Sequence, residues 1–404
     1  MPTLYFFEGL PYFIVNVISV TMFKRYGLSN AELAMYTSLL YLPWVIKPLW
    51  SPIVDVVRTK RWWILATQLT LSCAFIALAL TLPRSLESPH FAWTMVFFYI
   101  AAFASATHDI AADGFYMIAL DPHDQSLFVG IRSTFYRIAS VFGQGILVVL
   151  AGVLELRMDS IPAAWRLTIL GSALLLLLFS IYHSFVLDSP ESGAPKASSR
   201  NILDTVVTFF RKPGIFLAMV FLLLYRLPEA LSVKMLTPFL LDSAADGGLG
   251  LTTAQSGLVY GTIGVVALTL GGILGGVYAA RYGLKKSMWI MSLSLALPCA
   301  VYLYMAIARP GIVPVCICVA LDQFGYGFGF TAYMLYMIHF SEGKYKTSHY
   351  ALCTAFMALS MMIPGFFAGM IQESVGYVGF FTIVMICCLA TIAVTFFARR
   401  RLPS

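Results

Sequence analysis

The sequence predicts an all-α membrane protein whose twelve transmembrane helices form two six-helix bundles. Three observations lead to this fold class. Of the 404 residues, 60% are hydrophobic and only 11% are charged, whereas soluble domains carry about 25% charged residues. Twelve apolar runs approach or exceed the length of about 20 residues that a helix needs to cross a bilayer. One long polar connection divides these runs into six and six, and the composition excludes an ordinary soluble enzyme.

Each span is predicted from a continuous apolar run that is bounded by polar or turn-forming residues. Continuous runs exclude a membrane β-barrel, whose strands alternate between apolar and polar residues. The predicted spans are 3–23, 33–54, 62–82, 92–118, 127–152, 166–187, 213–241, 253–280, 287–307, 312–338, 350–371 and 378–398. They predict an N-terminal bundle over 1–187, a linker over 188–212 and a C-terminal bundle over 213–404.

The linker and the loop charges predict the topology. Ile202, Val206, Phe209 and Phe210 recur at helical spacing, which predicts an amphipathic helix on the membrane surface. Fifteen lysines and arginines lie in the even-numbered connections and the C-terminal tail, against six in the odd-numbered connections. This asymmetry predicts that both termini are cytoplasmic. The basic residues sit in short loops and no nucleic-acid-binding motif occurs, so we expect no nucleic-acid partner.

Two short sequence patterns occur in both halves of the chain. The segment from Ser51 to Arg61 ends in a basic pair, and so does the segment from Gly276 to Lys286, 225 positions later. A Leu-Pro step occurs in the first span and again in the seventh. Internal repeats of this kind are typical of transporters whose site lies between two bundles near the bilayer midplane.

The segment from Gly276 to Lys286 resembles the loop motif of the major facilitator superfamily, Gly-x-x-x-Asp-Arg-x-Gly-Arg-Arg/Lys, with Ala280 in place of the motif's Asp. The first-half copy keeps that acid as Asp55 but lacks the Gly and the adjacent Arg. The resemblance implies the twelve-helix fold of that family and a part in opening and closing for the loop residues. These are Asp55, Lys60, Arg61, Arg281, Lys285 and Lys286.

Three further segments are similar to AmpG-type muropeptide permeases, relatives of the acetyl-CoA transporters. They are Glu8-Gly-Leu-Pro11, Lys47-Pro-Leu-Trp-Ser-Pro52 and Ala106-Thr-His-Asp109-Ile-Ala-Ala-Asp113. The resemblance covers nearly the whole chain. It implies import of cell-wall breakdown products across the bacterial inner membrane for recycling.

Ten charged residues lie inside the predicted spans, where an ionised group costs at least about 2.5 kcal/mol unless it faces a partner or a cavity. The acids are Glu8, Asp109, Asp113, Glu229 and Asp322, and the bases are Lys47, Arg132, Arg137, Arg226 and Lys234. Depth counted along the helices predicts two ion pairs between the fourth and fifth spans, Asp113 with Arg132 and Asp109 with Arg137. These pairs are either static struts or groups that titrate or bind cargo during transport.

The remaining candidates are residues that could carry protons or bind cargo. The five acids and His108 are candidate proton carriers; Glu229 alternatively pairs with Arg226 or Lys234, and Asp322 has no basic neighbour on its own helix. Candidate cargo-binding residues are Arg137, Arg132, Lys47, Arg226, Lys234, Gln323, Tyr326, Tyr12 and Asn16. The glycines and aromatic residues of the tenth span suit close helix packing, and the rings could alternatively contact sugars.

The motifs of ATP-driven transport, metal binding and nucleophilic catalysis do not occur in the sequence. We therefore expect no enzyme activity and no cofactor. Without an ATP-binding motif, transport must be driven by a gradient, and we expect proton coupling. The Gly-Pro signature that exporters of the superfamily carry is missing from the fifth span, which favours import, and we expect a monomer. The alternatives are uptake of another acylated sugar, a nucleotide conjugate or a siderophore, a non-transporting sensor, and a membrane enzyme or flippase.

Overall fold

The computed structural model describes residues 1–83, 90–120, 122–188, 200–343 and 345–402. Every regular element in these ranges is helical, which confirms the predicted all-α class. Ten helices in them are long and apolar enough to cross a membrane. Two more passes come from a broken second span and from one very long C-terminal helix that holds two spans. The total of twelve passes agrees with the prediction.

Six spans make up the first half of the chain. Span 1 is Pro2–Phe13, Ile14–Ile18 and Ser19–Arg25; span 2 is Asn30–Leu39, Leu42–Ile46, Lys47–Leu49 and Ser51–Val56; span 3 is Lys60–Thr81; span 4 is His90–Ala119; span 5 is Pro122–Val141, Phe142–Leu147 and Val148–Met158; span 6 is Ile161–Val186. The middle segments of spans 1 and 5 are π-helical turns.

The second half begins with the linker helix, Arg200–Phe210. Span 7 is Ile215–Leu224 and Leu227–Leu241; span 8 is Thr253–Ser256, Gly257–Gly264 and Val265–Tyr282; span 9 is Leu284–Ala296, Leu297–Cys299 and Ala300–Ala308; span 10 is Ile312–Ser341; spans 11 and 12 lie within Lys346–Arg401. That last helix is broken at Gly376, whose φ of 71° and ψ of 175° suit glycine.

The prediction of one continuous helix over 33–54 is wrong. Three prolines, Pro43, Pro48 and Pro52, fall within ten residues, and each removes a backbone hydrogen-bond donor. The helix therefore ends at Leu39 and resumes in short pieces, one of them the 3₁₀ turn Lys47–Leu49. Span 7 is also interrupted, at Tyr225 and Arg226 just before Pro228.

The chain divides into two compact units, one formed by residues 1–28 and 46–199 and the other by residues 29–45 and 200–404. The expected division at the linker stays a prediction, and the contact units depart from it in the segment 29–45. Within the second unit, Asn30 explains that departure. Its side-chain amide donates to Asp242, to Gln372 at 2.7 Å and to Tyr377 at 3.1 Å.

The predicted linker helix is present, and part of its apolar face packs on protein. Phe209 is fully buried and stacks on Phe356, with His349 and Phe340 edge-on. Lys212 then donates to the carbonyl oxygens of Phe340 and Glu342 at 2.5 and 2.7 Å. The charge of Lys212 is favourable there, because the C-terminus of span 10 is the negative end of its helix dipole. Phe209 is therefore packed on protein while Phe210 is exposed, and the location of this helix on the membrane surface stays a prediction.

Glycines let spans 8, 9 and 10 approach closely. A Cβ at Gly271 would overlap the carbonyl oxygen of Phe324, and one at Gly275 would meet Phe328 and Thr331. Gly325 lies in the same way against Ser294 of span 9. Close helix packing is thus the role of these glycines, as small residues commonly have in membrane helices. A Cβ added at Gly276, in contrast, would meet no described atom within 4 Å.

Candidate functional site

The first unit contains the predicted ion pair between spans 4 and 5. The Arg132 guanidinium lies 2.6 Å from an oxygen of Asp113. It also lies over two tyrosine rings, with its central carbon 4.6 Å from the Tyr5 centroid and 5.7 Å from that of Tyr116. Both partners are about one-third exposed, at 34% for Arg132 and 37% for Asp113. The two residues are therefore partly accessible, while the Asp113 Oδ1 that Arg132 approaches is itself buried.

The prediction that Asp109 pairs with Arg137 is wrong. The carboxylate of Asp109 lies 3.6 Å from the Nζ of Lys47 instead. Lys47 reaches it because span 2 breaks into a 3₁₀ turn at that residue. Arg137 is half-buried, and among the described residues its side chain forms no ion pair.

Span 1 contributes a buried acid and a buried amide to the same unit. Glu8 is 7% exposed, and its Oε2 has no hydrogen-bond partner among the described residues. Asn16 lies on the π-helical turn and donates to the carbonyl oxygen of Tyr12 at 3.1 Å, while its own Oδ1 has no partner in that part of the chain. π-helical turns frequently occur at functional sites. Glu8 and Asn16 therefore offer polar atoms to a proton or a cargo molecule.

His108 belongs to a buried polar chain that the sequence did not reveal. Its Nε2 lies 3.1 Å from the amide nitrogen of Gln68, which lies 3.0 Å from Nδ1 of His183. The other ring nitrogen of His183 lies 2.9 Å from the hydroxyl of Thr3. This chain links spans 1, 3, 4 and 6. The one signal in the sequence for this chain is that each helix carries an isolated polar residue in an otherwise apolar run.

In the second unit, Arg226 and Glu229 form a bidentate pair with N–O distances of 2.7 and 3.0 Å. Arg226 also donates to the Tyr326 hydroxyl at 2.9 Å and lies 4.8 Å from the Phe330 ring centroid. The side chains of the pair are only 7% and 8% exposed. Of the two alternatives for Glu229, the geometry matches the local ion pair with Arg226.

Lys234 lies one helical turn beyond that pair and is 3% exposed. Its Nζ donates to the hydroxyl of Thr37 at 3.0 Å and lies 5.1 Å from the Tyr41 ring centroid. Its aliphatic stem passes beside Gly365. A Cβ at that position would lie only 3.1 Å from the Cγ of Lys234, so the glycine leaves room for the stem. In the described part of the chain Lys234 has no carboxylate partner.

Asp322 is a buried acid on span 10 that is held by neutral donors. The Tyr302 hydroxyl donates to its Oδ2, and Gln323 donates to the same oxygen at 3.1 Å. The carboxyl group is 7% exposed, and no lysine or arginine among the described residues pairs with it. This arrangement agrees with the sequence argument that Asp322 lacks a basic neighbour. Tyr302, on span 9, is a partner that the sequence did not identify.

The two loop motifs are held differently. In the first, Lys60 forms an ion pair with Asp55 and passes over Gly114, while Arg61 donates to the carbonyl oxygen of Ser184 at 2.7 Å. In the second, Lys285 donates to the carbonyl oxygen of Leu402 at 2.8 Å. Arg281 lies 5.5 Å from the ring of Tyr282 at the end of span 8, and Lys286 is exposed. The first loop thus keeps a charge pair where the second uses carbonyl contacts.

The helical fold and its two loop motifs have a counterpart among known families. A family model described as Major Facilitator Superfamily matches residues 3–268, about two-thirds of the chain. The chain belongs to the major facilitator superfamily. It is thus a multi-pass membrane transporter, and its relatives and structural neighbours are transporters rather than enzymes.

Curated members of the superfamily match over almost the whole chain. A putative transporter AmpG 4 of Rickettsia conorii is 24% identical over 95% of this chain and 91% of its own length. The anhydromuropeptide permease of Escherichia coli K12 is 24% identical over 93% of this chain and 74% of its own length. The sequence-based resemblance to AmpG-type permeases is confirmed.

Solved structures of the superfamily share the fold. A D-xylose-proton symporter superposes with a TM-score of 0.74 at 12% identity, covering 100% of this chain and 97% of that chain. The nucleoside transporter NupG superposes with a TM-score of 0.71 at 16% identity, covering 100% and 98%. At these identities the likeness supports the fold and says nothing about cargo.

Proposed function

We propose that the protein is a proton-coupled importer of anhydromuropeptides in the bacterial inner membrane, with both termini in the cytoplasm. The cargo is N-acetylglucosaminyl-anhydro-N-acetylmuramic acid, with or without its peptide, and it moves by alternating access for cell-wall recycling. The observation that carries the cargo assignment is the similarity to the anhydromuropeptide permease over 93% of the chain.

The proposed proton carrier is Asp322. A buried carboxyl group that neutral donors hold, rather than a fixed cation, can gain and lose a proton without leaving a stranded charge. Asp322 fits this description through Tyr302 and Gln323. Glu8, which lacks a hydrogen bond at Oε2, is the second candidate. Glu229 is the weakest, since its bidentate contact with Arg226 stabilises the ionised form.

The cargo is an amphiphilic sugar acid, and it needs a fixed cation for its carboxylate and aromatic faces for its rings. Lys234 and Arg137 are cations without a carboxylate partner in the described part of the chain. Charge-assisted contacts to a carboxylate would satisfy either of them. Tyr326 and Tyr12 are the aromatic candidates, and Tyr326 is already oriented by Arg226.

The test is uptake into proteoliposomes with an imposed inward proton gradient. Wild-type protein should accumulate the anhydro-disaccharide; unlabelled compound should compete, and glucose should not. Asp322→Asn should abolish gradient-driven accumulation while exchange of cargo continues, because exchange requires binding and rocking but no net proton release. Lys234→Gln should instead weaken cargo binding in both assays.

A matched control is Glu342→Gln, which removes a carboxylate that is 63% exposed outside the spans. It should leave both accumulation and exchange unchanged. If Asp322→Asn and Glu8→Gln both keep gradient-driven accumulation, these acids are not the proton carriers. No uptake by folded protein, or equal uptake of acetyl-CoA, would exclude the muropeptide assignment and favour another acylated sugar, a nucleotide conjugate or a siderophore.

A further inference from the structure

An open groove runs along the surface of the first unit between spans 3 and 4. It encloses about 490 Å³ and is lined by residues that include Trp63, Thr70, Val96, Phe103 and Thr107. Val96 and Phe103 are 44% and 40% exposed. Because these exposed side chains lie on a membrane-spanning helix, the groove opens toward lipid. Its volume lies in the range of pockets that hold a small molecule.

The wall of the groove is apolar despite its threonines. The Thr70 hydroxyl donates to the carbonyl oxygen of Ala66 at 2.8 Å, and the Thr107 hydroxyl donates to that of Phe103 at 2.7 Å. Thr67 likewise donates to the carbonyl oxygen of Trp63 at 2.7 Å. Their hydrogens are therefore used within the helices. Apart from the hydroxyl of Tyr99, the lining therefore suits a hydrocarbon chain.

The groove is long enough to hold an acyl chain. Trp63, on one wall, lies in the first turn of span 3. On span 4 the lining residues run from Val96 to Thr107, which is roughly 16 Å at the helical rise. The groove thus begins at the Trp63 end of span 3 and continues past the middle of span 4, which begins at His90.

The boundary end of the groove carries positive charge. Arg58 is exposed, and its guanidinium lies 6.0 Å from the Trp62 ring, which packs edge-on against Trp63. Lys60 is neutralised by Asp55 and Arg61 donates to the carbonyl oxygen of Ser184 on span 6, whereas Arg58 forms no ion pair among the described residues. The N-terminus of span 3, which Thr59 caps, adds its own partial positive charge. Paired tryptophans beside a basic group are typical of the level of the lipid headgroups.

We propose that this groove binds one phospholipid with an anionic headgroup. One acyl chain lies between spans 3 and 4, and the phosphate lies at Arg58 beside the start of span 3. Charge complementarity selects the occupant, because Arg58 keeps its positive charge at the boundary end of the groove, where the start of span 3 adds a partial positive charge. A zwitterionic lipid would bring an ammonium group to the same place and lose that advantage.

The experiment measures binding of the first lipid to delipidated protein by native mass spectrometry. The probes are phosphatidylglycerol and phosphatidylcholine with identical acyl chains. Wild-type protein should prefer phosphatidylglycerol. Arg58→Gln should lower its affinity about fivefold, the effect of one basic residue near an anionic surface, while Arg58→Lys should keep the preference. Arg281→Gln is the matched control, since Arg281 is also exposed and lies over an aromatic ring at a helix end; it should have less than half the effect.

A second pair of variants tests the groove itself. Thr70→Phe fills it from an exposed position and should weaken binding of both lipids, whereas Leu69→Phe, at an exposed neighbouring position outside the groove, should not. Equal binding of the two lipids by wild-type protein would overturn the proposal, and so would equal effects within either pair. Full competition by glycerol phosphate at the concentration of the lipid would also overturn it, because the acyl chain would then contribute nothing.

Discussion

Two intramembrane ion pairs of the first unit are partly accessible, whereas the Arg226–Glu229 pair of the second unit is enclosed. Arg132 and Asp113 are 34% and 37% exposed, and Lys47 and Asp109 are 24% and 17% exposed. Arg226 and Glu229 are 7% and 8% exposed. Opening an accessible ion pair costs little because water replaces the partner. Opening an enclosed pair strands a charge.

This difference assigns different roles to pairs that look alike in the sequence. The enclosed Arg226–Glu229 pair is suited to hold span 7 in place next to its break. The accessible pairs of the first unit are suited to exchange partners with a cargo or a proton. Asp322 in the second unit is also enclosed, but its hydrogen-bond donors are neutral, so it is not held by a fixed cation. Substitutions at these positions test the comparison, in order of decreasing effect on stability.

The largest loss of stability is expected for Arg226→Met. It leaves Glu229 buried without its cation, which should lower the free energy of unfolding by about 3–5 kcal/mol. The measurement is unfolding in detergent micelles, followed by tryptophan fluorescence. The double variant Arg226→Met/Glu229→Met should recover most of the loss. A double variant no more stable than the single one would show that the pair is not enclosed in the protein.

A smaller loss is expected for Tyr302→Phe, which removes a donor to Asp322. Loss of a hydrogen bond to a buried acid should cost about 1–3 kcal/mol. Tyr304→Phe, on the same helix but 50% exposed, should change stability by less than about 0.5 kcal/mol. Equal effects in the same unfolding assay would mean that Tyr302 does not support Asp322.

Arg132→Gln should cost no more than about 1 kcal/mol of stability, because its pair is accessible. Gradient-driven uptake should nevertheless be lost. The two assays together distinguish a functional pair from a strut: a large loss of stability with normal exchange would make the pair a strut.

The smallest stability effect is expected for Lys47→Gln. Its Nζ lies 3.6 Å from Asp109, beyond hydrogen-bond distance, so the change should be below about 0.5 kcal/mol. The sensitive readout is the concentration of anhydro-disaccharide at half-maximal uptake. If that concentration is unchanged while stability falls by several kcal/mol, the Lys47–Asp109 pair would be as enclosed as the Arg226–Glu229 pair.

Much of the fold was predictable from the sequence because the bilayer imposes a simple rule on helix length. The Asp113–Arg132 pair was predictable too, since depth along two antiparallel helices can be counted from their shared turn. The Lys47–Asp109 pair was not, because the count assumed an unbroken span 2. The three prolines of that span were visible, but their effect on the direction of Lys47 depends on tertiary packing. Gln68, His183 and Tyr302 were missed because single polar residues in apolar helices give no periodic signal.

The segment 29–45 has a consequence for biosynthesis. Asn30 is translated 342 residues before its partner Gln372, and at 5–20 residues per second that interval lasts roughly 15–70 s. During this time the amide of Asn30 and the helix that follows it lack the surface on which they finally pack. Newly made chains therefore carry the helix Asn30–Leu39 without its packing partner through most of their synthesis. A fragment ending at the linker should be a preferred client of membrane chaperones and proteases, and co-expression of the second half should rescue it.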